Sequence, residues 1–129
     1  MIGVELSANL NAVAAANVEA SRSRLRCQVV QLVTADVSEF EIPDDVTYAY
    51  IYNAFTGPVF QHVIDALLAS VERRPRTLRL LYLAPREHER LTRTGRFRLV
   101  KVITGWRPTR RWASLSAINV YELEPALGR

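Results

Sequence analysis

The chain has 129 residues, 49% of them hydrophobic and 23% charged, with a formal net charge of +4. That is enough for one globular domain with a real core, and the balance excludes a disordered or low-complexity chain. No apolar run approaches the ~20 residues of a membrane-spanning helix, and the N-terminus lacks the basic-then-apolar layout of a signal peptide.

Met1 to Leu6 is a short apolar run that ends beside an acid, and it reads as a strand. Ser7 is placed to cap a helix reaching about Leu25, with Leu10, Ala14, Val18 and Leu25 along one side. Cys27 to Thr34 reads as a second strand, followed directly by Asp36, and Glu39 to Asp45 as an acidic loop. Val46 to Tyr52 is apolar or aromatic at both parities, which predicts a strand covered on both faces, with Tyr48, Tyr50 and Tyr52 mainly in the core. Val59, Phe60, Val63, Ile64, Leu67, Leu68 and Val71 then form one wide helical stripe. Thr56 can cap that helix, Pro58 suits its first turn, and Arg73-Arg74-Pro75 ends it. Thr77 to Leu83 is a fourth strand, and Arg86 to Thr94 a short helix closed by Gly95. Phe97 to Ile103 and Leu115 to Leu123 are the last two strands. No helical pattern separates them, so they should be antiparallel neighbours. Strands alternating with helices predict an α/β fold with a mostly parallel sheet and helices on both faces. The whole chain, 1–129, is expected to form one domain.

The net charge hides an asymmetry. Residues 1–72 carry three Arg against nine acids, whereas residues 73–111 carry thirteen basic side chains against Glu87 and Glu89. A basic half could attract nucleic acid, but no nucleic-acid motif accompanies it, and a solvated rim is the favoured reading. Cys27 is the only cysteine, which permits no internal disulfide and suits a reducing, cytoplasmic compartment. Cys27, His62 and His88 are far apart in sequence, so no metal site is expected.

Several short motifs, in order, resemble the class I S-adenosylmethionine-dependent methyltransferases. Gly3-Val4-Glu5-Leu6-Ser7 and the helix after it resemble the family's second strand and helix. Ala35-Asp36-Val37 resembles the acidic motif after its third strand, and Asn53-Ala54-Phe55 the Asn-Pro-Phe type of motif after its fourth, with Ala54 in place of the usual proline. Leu81-Tyr82-Leu83-Ala84-Pro85 resembles the end of the fifth strand. The resemblance implies a Rossmann-like three-layer sandwich with a C-terminal antiparallel hairpin. It also implies S-adenosylmethionine as cofactor and transfer of its methyl group to an unidentified acceptor. The family's first strand and glycine-rich turn have no counterpart, since the glycines are only Gly3, Gly57, Gly95, Gly105 and Gly128. The expectation is therefore an N-terminally truncated domain whose gap lies between the strands near Val4 and Tyr50. A homodimer could complete the sheet, or those two strands could close the gap by pairing directly.

By the same resemblance Glu5, with Leu6, faces the adenosine ribose, where a carboxylate can accept from both hydroxyls. Asp36 faces the adenine amino group, with the Val37 N–H toward a ring nitrogen. The other readings are a helix-start charge for Glu5 and a turn aspartate for Asp36. Methyl transfer from a sulfonium needs alignment and water exclusion more than acid–base chemistry. Asn53 is the candidate to orient the acceptor and Phe55 to pack against it, or else to serve as a core aromatic. Trp106 and Trp112, near Arg110 and Arg111, read as a packed hairpin loop in preference to a lid. A non-catalytic remnant of the fold and a basic nucleic-acid-binding module are the alternative functions.

Overall fold

A computed structural model describes residues 1–52, 54–104 and 117–126. The protein is α/β and divides into two compact units, Met1–Glu41 and Ile42–Arg129.

In the first unit, β1 (Ile2–Glu5) pairs in parallel with β2 (Gln31–Thr34), from Ile2 opposite Gln31 to Glu5 opposite Thr34. The crossover is α1 (Ala8–Ser21), continued by a 3-10 turn over Arg22–Arg24. Ser7 caps α1 as expected, its hydroxyl accepting the Leu10 N–H at 3.3 Å. The stripe differs from expectation, because Leu10 is 59% exposed. Asn11, Ala14, Val18, Ser21 and Leu25 form the half-buried row instead, at helical spacing. None of the residues of α1 is fully buried. Gly3 permits close packing within the sheet: a Cβ there would meet Leu32 Cδ2 at 3.0 Å.

The second unit contains β3 (Tyr48–Tyr52), α2 (Gly57–Arg73), β4 (Leu78–Leu83), α3 (His88–Arg93), β5 (Phe97–Ile103) and β6 (Ile118–Leu123). Its sheet runs β3-β4-β6-β5, with β3 and β4 parallel and the other pairs antiparallel. The predicted pairing of the last two strands is thus present. The helical stripe of α2 holds in part, with Phe60, Val63, Ile64, Leu67 and Val71 buried, Leu68 half-buried and Val59 39% exposed. It packs on the sheet face that carries Leu78, Leu80, Tyr82, Tyr121 and Leu123, all at 0% exposure. The Phe60 and Tyr82 rings stack with centroids 5.4 Å apart.

Ser70 joins this core although it is polar. Its hydroxyl accepts from Arg76 Nη2 at 2.7 Å. Arg76 also donates to the carbonyls of Val46 and Ser70, at 2.7 and 2.8 Å, and so ties the end of α2 to the chain entering β3. Arg73 and Asp44 add an ion pair at 2.7 Å in the same place.

The strand β3 departs from expectation. Ile51 is buried, but Tyr48, Tyr50 and Tyr52 are 60, 61 and 63% exposed. The three tyrosines share one parity, opposite to that of Ile51, so they stand on the sheet face away from α2. Among the described residues β3 pairs with β4 alone and β1 with β2 alone. At the other end of the larger sheet, β5 carries an irregularity between Leu99 and Lys101, where Val100 has no partner in the ladder.

Candidate functional site

The parallel ladder places the ends of β1 and β2 side by side. Glu5 is the last residue of β1, and its carbonyl accepts the Ala35 N–H at 3.1 Å. Asp36 is the next residue, so Glu5 and Asp36 sit at the carboxyl ends of two hydrogen-bonded parallel strands. Leu6, immediately past β1, is 71% exposed. Both carboxylates also make the local contacts that their alternative readings describe. Glu5 Oε1 accepts the Ser7 N–H at 2.8 Å, just ahead of the α1 start. Asp36 Oδ1 accepts the Ser38 N–H at 2.9 Å and the Ser38 hydroxyl at 2.6 Å, an Asx turn. The carbonyl of Val37 continues the turn by accepting the Phe40 N–H. These contacts fix where each carboxylate stands.

Asn11 belongs to the same edge and was not anticipated. Its Nδ2 donates to Thr34 Oγ1, at the end of β2, at 2.7 Å. Its Oδ1 is buried and has no hydrogen-bond partner among the described residues. A polar residue in the half-buried row of α1 was the one sequence signal available, since that row otherwise consists of small or apolar residues and Ser21.

The residues expected to handle the acceptor belong to the second unit. Asn53 lies outside the described residues, as do Trp106, Arg110, Arg111 and Trp112. Phe55 is half-buried, with its ring 6.4 Å from that of Phe60 and tilted by 44°. It therefore packs on the core at the start of α2, while part of it remains open. Thr56 occupies the cap position but makes no side-chain capping bond. Glu87 takes that role from 30 residues away, its Oε1 accepting the Gly57 N–H at 2.7 Å. This hydrogen bond, together with the Arg90 guanidinium, lowers the Glu87 pKa. Gly57 adopts φ +61°, a conformation glycine adopts without strain.

A cavity of about 700 Å³ opens on the second unit, lined by Gln61, Arg86, Glu87, His88, Arg90 and Arg93. Of the expected site residues that are described, none lines it. Behind it, Tyr121 Oη lies 2.6 Å from His88 Nδ1 and accepts from Asn119 Nδ2 at 2.9 Å. Burial raises the Tyr82 and Tyr121 phenol pKa values. Much of the basic segment is engaged with acids. Arg79 and Arg98 share Glu122, Arg96 pairs with Glu72, and Arg90 and Arg93 pair with Glu87 and Glu89. Among the described residues no group of three His, Cys, Asp or Glu side chains could hold a metal ion, and no helix is long and apolar enough to cross a membrane.

A scan against protein-family models, a search of curated proteins and a search of solved structures each found no match to this chain.

Proposed function

We propose that this chain is a Rossmann-like, S-adenosylmethionine-dependent methyltransferase domain acting on an acceptor yet to be identified. The observation that carries this reading is the juxtaposition of Glu5 and Asp36 at the ends of adjacent parallel strands. Carboxyl ends of parallel strands are where α/β sheets bind ligands. Two carboxylates at the ends of neighbouring strands, whose backbones lie about 5 Å apart in a sheet, suit the ribose hydroxyls and the adenine amino group of one nucleoside. The orphaned Asn11 Oδ1 adds a buried acceptor at the same edge, which favours a ligand carrying donors. A parallel pair extended by an antiparallel C-terminal hairpin also agrees with the resemblance.

In this reading Glu5 holds the ribose, Leu6 covers one side of it, and Asp36 with the Val37 N–H reads the adenine. The residues present fit the adenosine part of the cofactor. When bound, the cofactor supplies a sulfonium methyl group that is electrophilic without further activation. Asn53 orients the acceptor by its amide oxygen, and Phe55 presents an apolar wall that keeps water from the reacting centre. Among the described residues, Arg79, Arg96 and Arg98 are engaged with acids, which adds nothing in favour of the nucleic-acid-binding alternative.

Calorimetric titration of the chain with S-adenosylmethionine tests the reading. Binding is expected, weakened about 10-fold or more by Glu5→Gln or Asp36→Asn, as for loss of a hydrogen bond to a charged group worth roughly 1.5–3 kcal/mol. Circular dichroism should show both variants folded. No detectable heat at millimolar ligand, or unchanged affinity in both variants, would overturn it.

A further inference from the structure

The open edge of β3 is the strongest feature that the proposed function does not use. The Arg79 N–H donates to the Thr47 carbonyl at 2.8 Å. In a parallel pair the residues that bond to the neighbour alternate along the strand. Thr47, Ala49 and Ile51 therefore turn their backbone groups toward β4. Tyr48, Tyr50 and Tyr52 turn theirs toward the opposite edge, which has no partner strand among the described residues. The same three residues carry the exposed aromatic row, at 60, 61 and 63%. Tyr48 is oriented by Arg79, whose Nη1 donates to its hydroxyl at 2.9 Å and whose guanidinium carbon stands 5.9 Å from its ring centroid.

The described strand itself carries none of the usual built-in protection. Proteins discourage unwanted strand pairing with edge lysines, prolines, inward charges or bulges. The five residues of β3, YAYIY, contain none of these, and their register with β4 is unbroken. An unguarded, regular, aromatic edge is a template for another strand.

The pattern also says which strand. Read backwards, YAYIY becomes YIYAY, so it is symmetric about Tyr50 in the class of every side chain. We propose that β3 pairs with β3 of a second copy of this chain, antiparallel, about a two-fold axis at Tyr50. In that register Tyr50 faces Tyr50 of the partner subunit, Tyr48 faces the partner's Tyr52, and Ala49 faces the partner's Ile51. The tyrosine positions are the hydrogen-bonded pairs of the new ladder, each exchanging two N–H···O bonds. Aromatic meets aromatic and aliphatic meets aliphatic, the pairings that stabilise neighbouring strands. The contact is isologous, so it closes at two copies. This inference does not rest on the methyltransferase reading, although the edge it uses is the one beside which the resemblance places the missing first strand.

Sedimentation velocity on the full chain, from micromolar to sub-millimolar concentration, tests it. The expected species has twice the chain mass. Tyr50→Pro should return it to one chain mass with unchanged circular dichroism. The Tyr50 N–H points away from β4, so proline removes the two bonds exchanged by the Tyr50 pair across the new interface and none to β4. Tyr50→Lys should do the same, by setting like charges opposite each other at the axis. If the proline variant misfolds, the lysine variant decides. A native chain of single mass at every concentration overturns the proposal. So does a dimer that survives both substitutions, or a single-mass native chain whose β3 edge captures a foreign extended peptide.

Discussion

The two units of this protein solve the problem of burying apolar surface differently. Among the described residues every buried hydrophobic side chain, from Ile51 to Leu123, belongs to the Ile42–Arg129 unit. There a helix with a wide apolar stripe covers one face of a four-stranded sheet. The Met1–Glu41 unit has a helix, two strands and no fully buried side chain. It is held by its ladder, by the Ser7 cap and by the bond from Asn11 to Thr34. A two-stranded sheet is marginal alone. The difference shows that secondary structure and a core need not coincide. The larger unit supplies cohesion, while the smaller one gathers polar groups at a strand end.

Substitutions can break or sharpen this contrast. The largest effect is expected from Phe60→Ala, which empties a fully buried ring site stacked on Tyr82 and should cost about 3–5 kcal/mol in urea unfolding. A loss under about 1 kcal/mol would deny the larger unit a well-packed core.

An intermediate effect should appear on acidification. Arg73 hydrogen-bonds Asp44 and lowers its pKa, and the Gly57 N–H and Arg90 lower that of Glu87. A carboxyl whose folded pKa lies below its unfolded value stabilises the fold above the unfolded value. That contribution disappears as pH falls through the folded pKa. Stability should therefore drop as pH falls below about 4. A variant carrying Asp44→Asn and Glu87→Gln should be less stable at neutral pH and show a flatter acid limb in thermal melts followed across pH. An unchanged acid limb would remove these two contacts from the account of the larger unit.

The smallest effect is expected from Val33→Ala, at about 1 kcal/mol or less in the same urea assay, because Val33 is only half-buried. A cost matching that of Phe60→Ala would mean that the smaller unit has a core after all.

The parts of the fold legible in the sequence were those set by local periodicity. The α2 stripe from Phe60 to Val71, the Ser7 cap and the final antiparallel pair all follow from spacing and composition. What escaped depends on distant neighbours. The apolar run of β3 looks the same whether the strand is central or at an edge, so the exposure of its tyrosines was not readable. Ser70 is buried because Arg76 satisfies it, and Glu87 replaces Thr56 at the helix start through a contact across 30 residues. Within the candidate site, Glu5 and Asp36 could be named as acids at strand ends, and the ladder makes them neighbours. Asn11 offered only a polar side chain in a helical row, because its significance lies in a buried oxygen without a hydrogen-bond partner among the described residues.

The irregularity at Val100 has a consequence for how this sheet can grow. It interrupts the ladder register of β5, a strand that also carries Arg98 and Lys101, both exposed. Twisted and charged edges resist docking by a further strand. In the proposed dimer the sheet would be joined at its β3 terminus and discouraged from further addition at its β5 terminus, which favours a finite complex over a fibril.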